Sequence, residues 1–433
     1  MKIVAFLPAK GDSARINGKN TRLLDGKPLF LHTLEKLAAC DFIDEVWLDT
    51  ESQDIIDLAS EVPCRVLRRD PGLASNKTDG NRLFMNEVAH VEADIYVQIL
   101  CTSPFIEPAL IRSAIDAVRN SQGAHDSAVL VRRDKHYLWR DGRPAYDLQH
   151  IPNSVDLPDT VMETMGLYVI TREAALRTQR RIGDSPVPVY ASPLAAVDVN
   201  WPEDFELADL IAAGQREKDR RLLGNIRNHL TSSMLSDLLD DLGRPDQVVR
   251  GLAPNLPDAK FLGRAKTLRL RALREGEDFR GIYTALKSYR HIVPNDVILV
   301  ENEARDYAYF GELNANLAIR SGASAVVVDG RTRDSAEVRR IGLPVFAAGY
   351  SCQDVRKRAT VDHMNRAITM GGVRVSPGDL VYGDAEGVVV IPRTIEETVI
   401  REIYQRISNE KKILVDISLG ADVEKLVRDY GFF

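Results

Sequence analysis

Ile3-Val-Ala-Phe-Leu-Pro-Ala-Lys-Gly-Asp-Ser-Ala-Arg15-Ile-Asn-Gly-Lys-Asn20 is the stretch that decides the fold of the N-terminal half. The apolar run Ile3 to Leu7 is short and rich in branched and aromatic side chains, which predicts a strand buried on both faces. It passes directly into a loop of small residues carrying Lys10, Arg15 and Lys19. Exposed backbone N–H groups with these cations suit a polyphosphate, because charge-assisted bonds to phosphate are strong. A solvated basic loop has the same composition, and the loop residues alone leave both readings open.

Downstream, the pattern repeats. Helix candidates at Leu29 to Ala39 and Ile55 to Ser60 alternate with strand candidates at Glu45 to Asp49 and Ile95 to Leu100. That rhythm predicts a mostly parallel α/β sheet with its ligand at the carboxyl ends of the strands. The pattern weakens from about 132 to 160, where Trp139-Arg-Asp-Gly-Arg-Pro144 reads as an inserted hairpin or arm. Asp204 to Ala213 reads as a helix, and the charge run Gly214 to Arg221 as an interdomain connection or a solvated helix face. Ile226 to Leu242 looks helical. A second α/β series follows, with strands at Val297 to Val300, Ala325 to Asp329 and Pro344 to Ala347 and a helical stretch from Ala308 to Ser321. After residue 366 the character turns to β, at Ala367 to Met370, Val373 to Val375 and Val388 to Ile391, and the last forty residues read as amphipathic helices. The boundaries predicted are 1–220 for the first domain and 221–433 for the second.

Composition agrees with two soluble α/β domains. The 433 residues are 44% hydrophobic and 28% charged, which excludes collagen-like and disordered classes. Net charge is -6, with 27 basic against 34 acidic residues in 1–221 and 30 against 29 in 222–433, so neither half has the basic excess of a nucleic-acid binder. Four cysteines without CxxC spacing point to a reduced compartment. The first apolar run is too short for a signal peptide, and no stretch reaches the roughly 18 apolar residues of a membrane span. The expected setting is cytoplasmic, without nucleic acid or membrane as partner.

The loop does not stand alone. Lys10 to Leu29, then Arg69-Asp-Pro-Gly-Leu-Ala-Ser75, Gln98-Ile-Leu-Cys-Thr-Ser-Pro104 and Ala196-Val-Asp-Val-Asn-Trp-Pro-Glu-Asp204 fall in one order over some 200 residues. In that order they resemble the CMP-sialic acid synthetases, the acylneuraminate cytidylyltransferases. The resemblance implies a Rossmann-like nucleotidyltransferase domain in which a sugar hydroxyl attacks the α-phosphate of CTP and pyrophosphate leaves. It implies that Lys19 and Asn20 hold the triphosphate, aided by Lys10 and Arg15, that Arg69 and Ser75 face cytosine, that Gln98 faces the sugar, and that Asp198 with Asn200 holds Mg²⁺ or Mn²⁺. Lys10 stands where the family usually has arginine, and it gives up the bidentate fork. The family's Asp-x-Asp is Asp198-Val-Asn200 here, which removes one carboxylate from a hard-cation site and predicts weakened or rearranged metal binding. Its Ser-Asp after Leu-Ala is Ser75-Asn76. Read without the family, Asp198 would instead cap the helix starting near Pro202. Ser154 to Pro158 and Glu163 to Tyr168 resemble the stretch that shapes the family's sugar site, with an arm that implies a homodimer.

The C-terminal half carries Ala325-Val-Val-Val-Asp-Gly-Arg-Thr-Arg-Asp334, a strand ending in a turn that presents Arg333 beside Asp334. An arginine can fork a carboxylate and an aspartate can hold a divalent metal, although a lone Arg-Asp pair is also an ordinary surface ion pair. With Gly311 to Asn316, Leu343 to Phe346, Val375 to Asp379 and Gly383 to Pro392, this motif resembles the RraA-like family, which includes 4-hydroxy-4-methyl-2-oxoglutarate aldolases and oxaloacetate decarboxylases. Active members carry Asp, twenty residues, then Arg-Asp; here Glu312 stands at the first position. The resemblance implies a swivelling α/β domain in which Asp334 binds Mg²⁺ or Mn²⁺, Arg333 holds a 2-oxo acid and Glu312 supports the metal's waters. Some relatives are non-catalytic inhibitors of ribonuclease complexes, so a binding module is the competing class.

Together these features predict a bifunctional enzyme. It would transfer a cytidylyl group from CTP to a small acidic sugar of the sialic type and cleave a 2-oxo acid. The alternative is activation of an octulosonate or a phosphonate beside a non-catalytic oligomerisation module. A dimeric first family and a trimeric second predict a homo-oligomer, in the fullest case a D3 hexamer.

Overall fold

The computed structural model describes residues 1–75 and 77–431, and these divide into two compact units, Met1–Ala212 and Ala213–Phe433. Asn76, named above as a departure from the family pattern, lies outside the described residues.

The first unit is built on a seven-stranded sheet in the order Pro186–Tyr190, Ser127–Asp134, Thr160–Thr171, Ile95–Ile99, Ile3–Pro8, Glu45–Thr50, Arg65–Arg68. Ile3–Pro8 is central, parallel to Ile95–Ile99 and Glu45–Thr50. Thr160–Thr171 runs antiparallel to both its neighbours, so the sheet is mostly but not wholly parallel. All six residues of the central strand are buried. The period of two sends Ile3, Ala5 and Leu7 into one cluster with Leu34, Leu37 and Ile99, and Val4 and Phe6 into another with Phe84, Val88 and Tyr96. Phe84 meets Tyr96 edge-on with ring centroids 6.1 Å apart, and the Tyr96 hydroxyl donates to the Val91 carbonyl at 3.0 Å, satisfying its one polar atom inside the core.

Leu29–Ala38 is helical because Leu29, Phe30, Thr33, Leu34 and Leu37 recur at helical spacing on one buried face. The Pro28 that precedes it supplies no side-chain cap. In the 132–160 region, Ser127–Asp134 leads out of the sheet and Trp139–Arg140 pairs with Arg143–Pro144. Asp141 and Gly142, with φ of 49° and 74°, form the two-residue turn that this hairpin needs. Trp139, Leu148 and Ile151 are exposed, at 64%, 63% and 61%.

The second unit carries a ten-stranded sheet. Its main path is Val248–Val249, Gly387–Ile391, Leu380–Asp384, Phe261–Ala272, Asp296–Asn302, Ala325–Thr332, Val345–Tyr350, Ala253–Pro254. Phe261–Ala272, Asp296–Asn302, Ala325–Thr332 and Val345–Tyr350 run parallel, and the remaining neighbours on this path pair antiparallel. Val326 and Val328 pack on one face, Ala325 and Val327 on the other.

For one stretch the structure takes the second of the two readings given, a solvated helix face, and two others differ from the sequence reading. Gly214 to Arg221 is part of one helix, Pro202–Arg227, in which Glu217 bonds Arg220 and Arg221 at 2.7 and 3.0 Å. Such pairs three and four residues apart support the 214–221 stretch, which has no buried apolar side chain, between the buried Phe205, Ala208 and Ala212 and the buried Leu223 and Ile226. Ile226 to Leu242 is broken at 228–231, where Thr231 caps a new helix, Ser232–Asp241. The Ala308 to Ser321 stretch is a short strand, Ala308–Phe310, followed at Gly311 by a helix, Glu312–Ser321.

Candidate functional site

In the first unit the loop after Ile3–Pro8 is closed on itself and anchored to the segment around Asp198. The Asn20 side chain donates to the Lys10 carbonyl at 2.8 Å and accepts from the Cys101 thiol at 3.2 Å, which joins the two ends of the loop. Buried Lys19 donates from Nζ to the Val199 carbonyl at 2.9 Å. Burial lowers the Lys19 pKa below the usual lysine range, Arg15 and Lys10 act in the same direction, and Asp198 opposes them. Burial pushes the Cys101 thiol up to about 11, so near neutral pH it is an uncharged donor and Asp198 is the counter-charge to Lys19. Three cations gathered near one carboxylate leave a net positive site for an anion. Arg15 lies 5.4 Å from the centroid of the Trp201 ring.

Asp198 does not cap the helix that starts at Pro202; Asp204 does, accepting from the backbone N–H groups of Asn200 and Trp201 at 2.9 and 2.8 Å. Asp198 Oδ2 accepts from the Asn200 side chain, while Oδ1 is buried without a hydrogen-bond partner. A buried carboxylate oxygen with no donor is costly unless a cation satisfies it. Among the described residues no three His, Cys, Asp or Glu side chains converge on one point. Magnesium does not require such a cage, since it commonly takes one or two carboxylates together with substrate phosphates. Asp198 with Asn200 therefore fits that ion.

Arg69 and Gln98 belong to a second group, deeper in the unit. Arg69 is buried, with Nη2 on the Asp49 carbonyl at 2.9 Å and Nε 3.4 Å from the Asp49 carboxylate and 3.2 Å from Glu51. Gln98 lies within its strand and donates to Glu87 at 2.7 Å. The Asp49 and Glu87 carboxyls meet with no donor between them unless one holds a proton. Burial, and then the Asp49 charge, raise Glu87 well above the usual carboxylate range; burial raises Asp49 too, but the Arg69 charge opposes it there, so the shared proton resides on Glu87 and Asp49 faces Arg69. Ser75 is exposed, with its hydroxyl 3.2 Å from that of Thr78.

Glu51 links this group to the loop: its Oε1 accepts from Gly11 N–H at 2.6 Å, and Gly11 has no room for a Cβ, which would lie 2.8 Å from that of Ser52. Sequence reasoning missed Glu51. Its position just past Glu45–Thr50, the strand beside Ile3–Pro8, was the available signal. On the same face of the sheet, directly across from Gln98 on the neighbouring strand, the Tyr168 hydroxyl donates to Glu163. Burial first and that bond second raise the Tyr168 pKa, against the nearby Arg181 charge.

In the second unit, Arg333 and Asp334 follow the strand Ala325–Thr332. The Arg333 N–H donates to the Phe310 carbonyl at 2.9 Å, which aligns the motif with Gly311 and Glu312. Asp334 sits in the left-handed region, with φ of 53°, a conformation Asp tolerates better than most residues. Its Oδ2 accepts from Glu312 N–H at 3.0 Å, at the first turn of Glu312–Ser321. A Cβ at Gly311 would lie 2.4 Å from that oxygen, so glycine is required for the contact. Arg333 is only loosely paired with Asp334, at 3.7 Å, and closely paired with Asp354, at 2.8 Å. Asp354, missed in the sequence, lies beyond Val345–Tyr350 at the carboxyl end of the next parallel strand. With one oxygen engaged by a backbone amide, Asp334 fits as a single-carboxylate ligand for a hydrated magnesium ion.

Residues 4–185 match the cytidylyltransferase family and residues 232–390 the Aldolase/RraA family. A putative 4-hydroxy-4-methyl-2-oxoglutarate aldolase of Halalkalibacterium halodurans is 28% identical over 183 residues, 42% of this chain and 82% of that protein. A CMP-N,N'-diacetyllegionaminic acid synthase of Legionella pneumophila is 35% identical over 122 residues, 27% of this chain and 53% of that protein. An N-acylneuraminate cytidylyltransferase of Oncorhynchus mykiss is 26% identical over 404 residues, 85% of this chain and 88% of that protein.

Proposed function

We propose that this chain, cytidylyltransferase-like in its N-terminal half and RraA-like in its C-terminal half, activates a small acidic sugar with CTP and cleaves a 2-oxo acid. The observation that carries the first reaction is the grouping of Lys10, Arg15 and Lys19 near Asp198, whose Oδ1 is buried without a partner. In-line transfer of a cytidylyl group needs positioning and charge neutralisation more than covalent help. Lys19 and the loop cations would hold the triphosphate while the sugar hydroxyl attacks the α-phosphorus and pyrophosphate departs. Asn20 would keep the loop closed, and the Arg69, Glu51 and Gly11 chain would hold its first turn. Magnesium or manganese, held by Asp198 beside Asn200, would supply further neutralisation of the phosphates when bound. Pyrophosphate release from CTP, measured across sialic-type, octulosonic and phosphonic acids, tests this reading and identifies the acid.

For the second unit, Arg333 would orient the carboxylate of a 2-oxo acid over the Gly311–Glu312 turn, and Glu312 would support ordered water. Magnesium or manganese at Asp334 would stabilise negative charge at the 2-oxo group when bound. The ion pair between Arg333 and Asp354 favours a second reading, a non-catalytic binding module, because it already engages the guanidinium. Oxaloacetate decarboxylation with and without Mg²⁺ separates the two. The exposed apolar side chains of the 132–160 arm support a partner subunit there, and the fused families support a D3 hexamer. Light scattering that gives a monomer or a simple dimer would count against the hexamer.

Among the described residues no helix is long and apolar enough to cross a membrane.

A further inference from the structure

We infer that Arg181 anchors the carboxylate of the acid that the first unit activates, and so selects acids over neutral sugars; this rests on the transferase reading above. A cavity of about 420 Å³ is lined by Asp79, Gly80, Asn81, Arg180, Arg181 and Ile182. Its charges are compensated except at one place. Asp79 is turned onto the backbone N–H groups of Asn81 and Arg82, both at 2.9 Å, and Arg180 is paired with Asp184. Arg181 has no carboxylate within ion-pairing distance among the described residues, and its side chain stacks on Tyr168, 3.9 Å from the ring centroid. Its backbone N–H is held by the Asn81 side chain at 3.1 Å, and its guanidinium fills the space a Cβ at Gly80 would need, 2.7 Å from Nη1. A planar cation that is fixed on an aromatic face and lacks an anion is built to fork a carboxylate.

Place and charge together point to the acid. Tyr168, on which Arg181 stacks, lies directly across from Gln98 on the neighbouring strand, and the Asp198 charge acts on it as well, which ties the cavity to the residues assigned to the sugar and the metal. The triphosphate has its own cations in Lys10, Arg15 and Lys19, and cytosine is uncharged. The remaining anion in the reaction is the acid's carboxylate.

The test is steady-state pyrophosphate release by the full chain with Mg²⁺, CTP and N-acetylneuraminic acid or 3-deoxy-manno-octulosonate, each compared with its 1-carboxamide. Arg181→Gln should raise the KM for the acid about ten- to a hundredfold and erase the preference over the carboxamide, with the KM for CTP unchanged. Arg181→Lys should recover part of both, and calorimetric CTP binding by Arg181→Gln reports that the unit is folded. An unchanged acid KM, or an equal rise for CTP, would overturn the assignment of Arg181 alone. No release by the wild-type chain with any acid would overturn the transferase reading and this inference with it.

Discussion

Lys19 Nζ donates to the carbonyl oxygen of Val199 at 2.9 Å, across 180 residues of sequence. That single bond holds the cationic loop of the first strand against the segment that carries Asp198. It buries an ammonium group beside two other cations, an arrangement that costs stability until an anion arrives.

A change in the number of carboxylates should alter the metal requirement in a definite direction. Asn200→Asp places a second carboxylate beside Asp198, where Asn200 now donates to it. The Mg²⁺ concentration for half-maximal pyrophosphate release should fall roughly tenfold, because ligand charge count tunes affinity for hard cations. Asp198→Asn should raise it by at least as much.

The buried acid group predicts an asymmetry between two substitutions. Glu87 is already the neutral member of its pair, so Glu87→Gln should change stability little. Arg69→Met strips the counter-charge from Asp49 and should cost about 3–5 kcal/mol in urea unfolding of the first transition. Equal costs for the two would contradict the protonation assignment.

His32 predicts a pH dependence. Burial, reinforced by Lys27, lowers its pKa from 6.5 to about 4, and its ring lies 2.9 Å from the Leu24 carbonyl oxygen. Between those values the unfolded chain takes up a proton that the folded chain refuses. Stability therefore falls as pH drops through this window and is retained above it. Going from pH 7 to pH 5 should cost about 2 kcal/mol through this residue. His32→Gln should flatten that part of the pH profile in denaturant titrations.

In the second unit, Gly311→Ala puts a Cβ 2.4 Å from the present position of Asp334 Oδ2. The carboxylate must move, and a shift of that size should lower any metal-dependent oxaloacetate decarboxylation about a hundredfold. A variant as active as the wild-type chain would show that Asp334 is not at the reacting centre.

The fold class was legible because the parallel strands are nearly all apolar: Ile3–Pro8 and Ala325–Thr332 announce burial on both faces. Phe261–Ala272 was not legible, although it is the longest strand of its sheet. Its Arg264, Lys266, Arg269 and Arg271 look solvated in sequence, yet the first three are paired with carboxylates from distant positions, Glu396, Asp296 and Glu301, and Arg271 with Glu277 in the loop that follows the strand. The candidate sites divide in the same way. Lys10, Arg15, Lys19 and Asp198 come from motifs with local signatures. Glu51 and Asp354 act through partners that only the sheet order brings near, and the buried setting of Arg69 and Gln98 depends on Asp49 and Glu87 in other elements.

The most direct test of the central claim is pyrophosphate release from CTP and Mg²⁺ with a panel of 3-deoxy-2-oxo sugar acids, comparing the wild-type chain with Lys19→Met. Acid-dependent release by the wild type is expected, with a loss of about a hundred- to a thousandfold in kcat/KM in the variant. Release that is undiminished in Lys19→Met, or absent with every acid in the wild type, would contradict that claim.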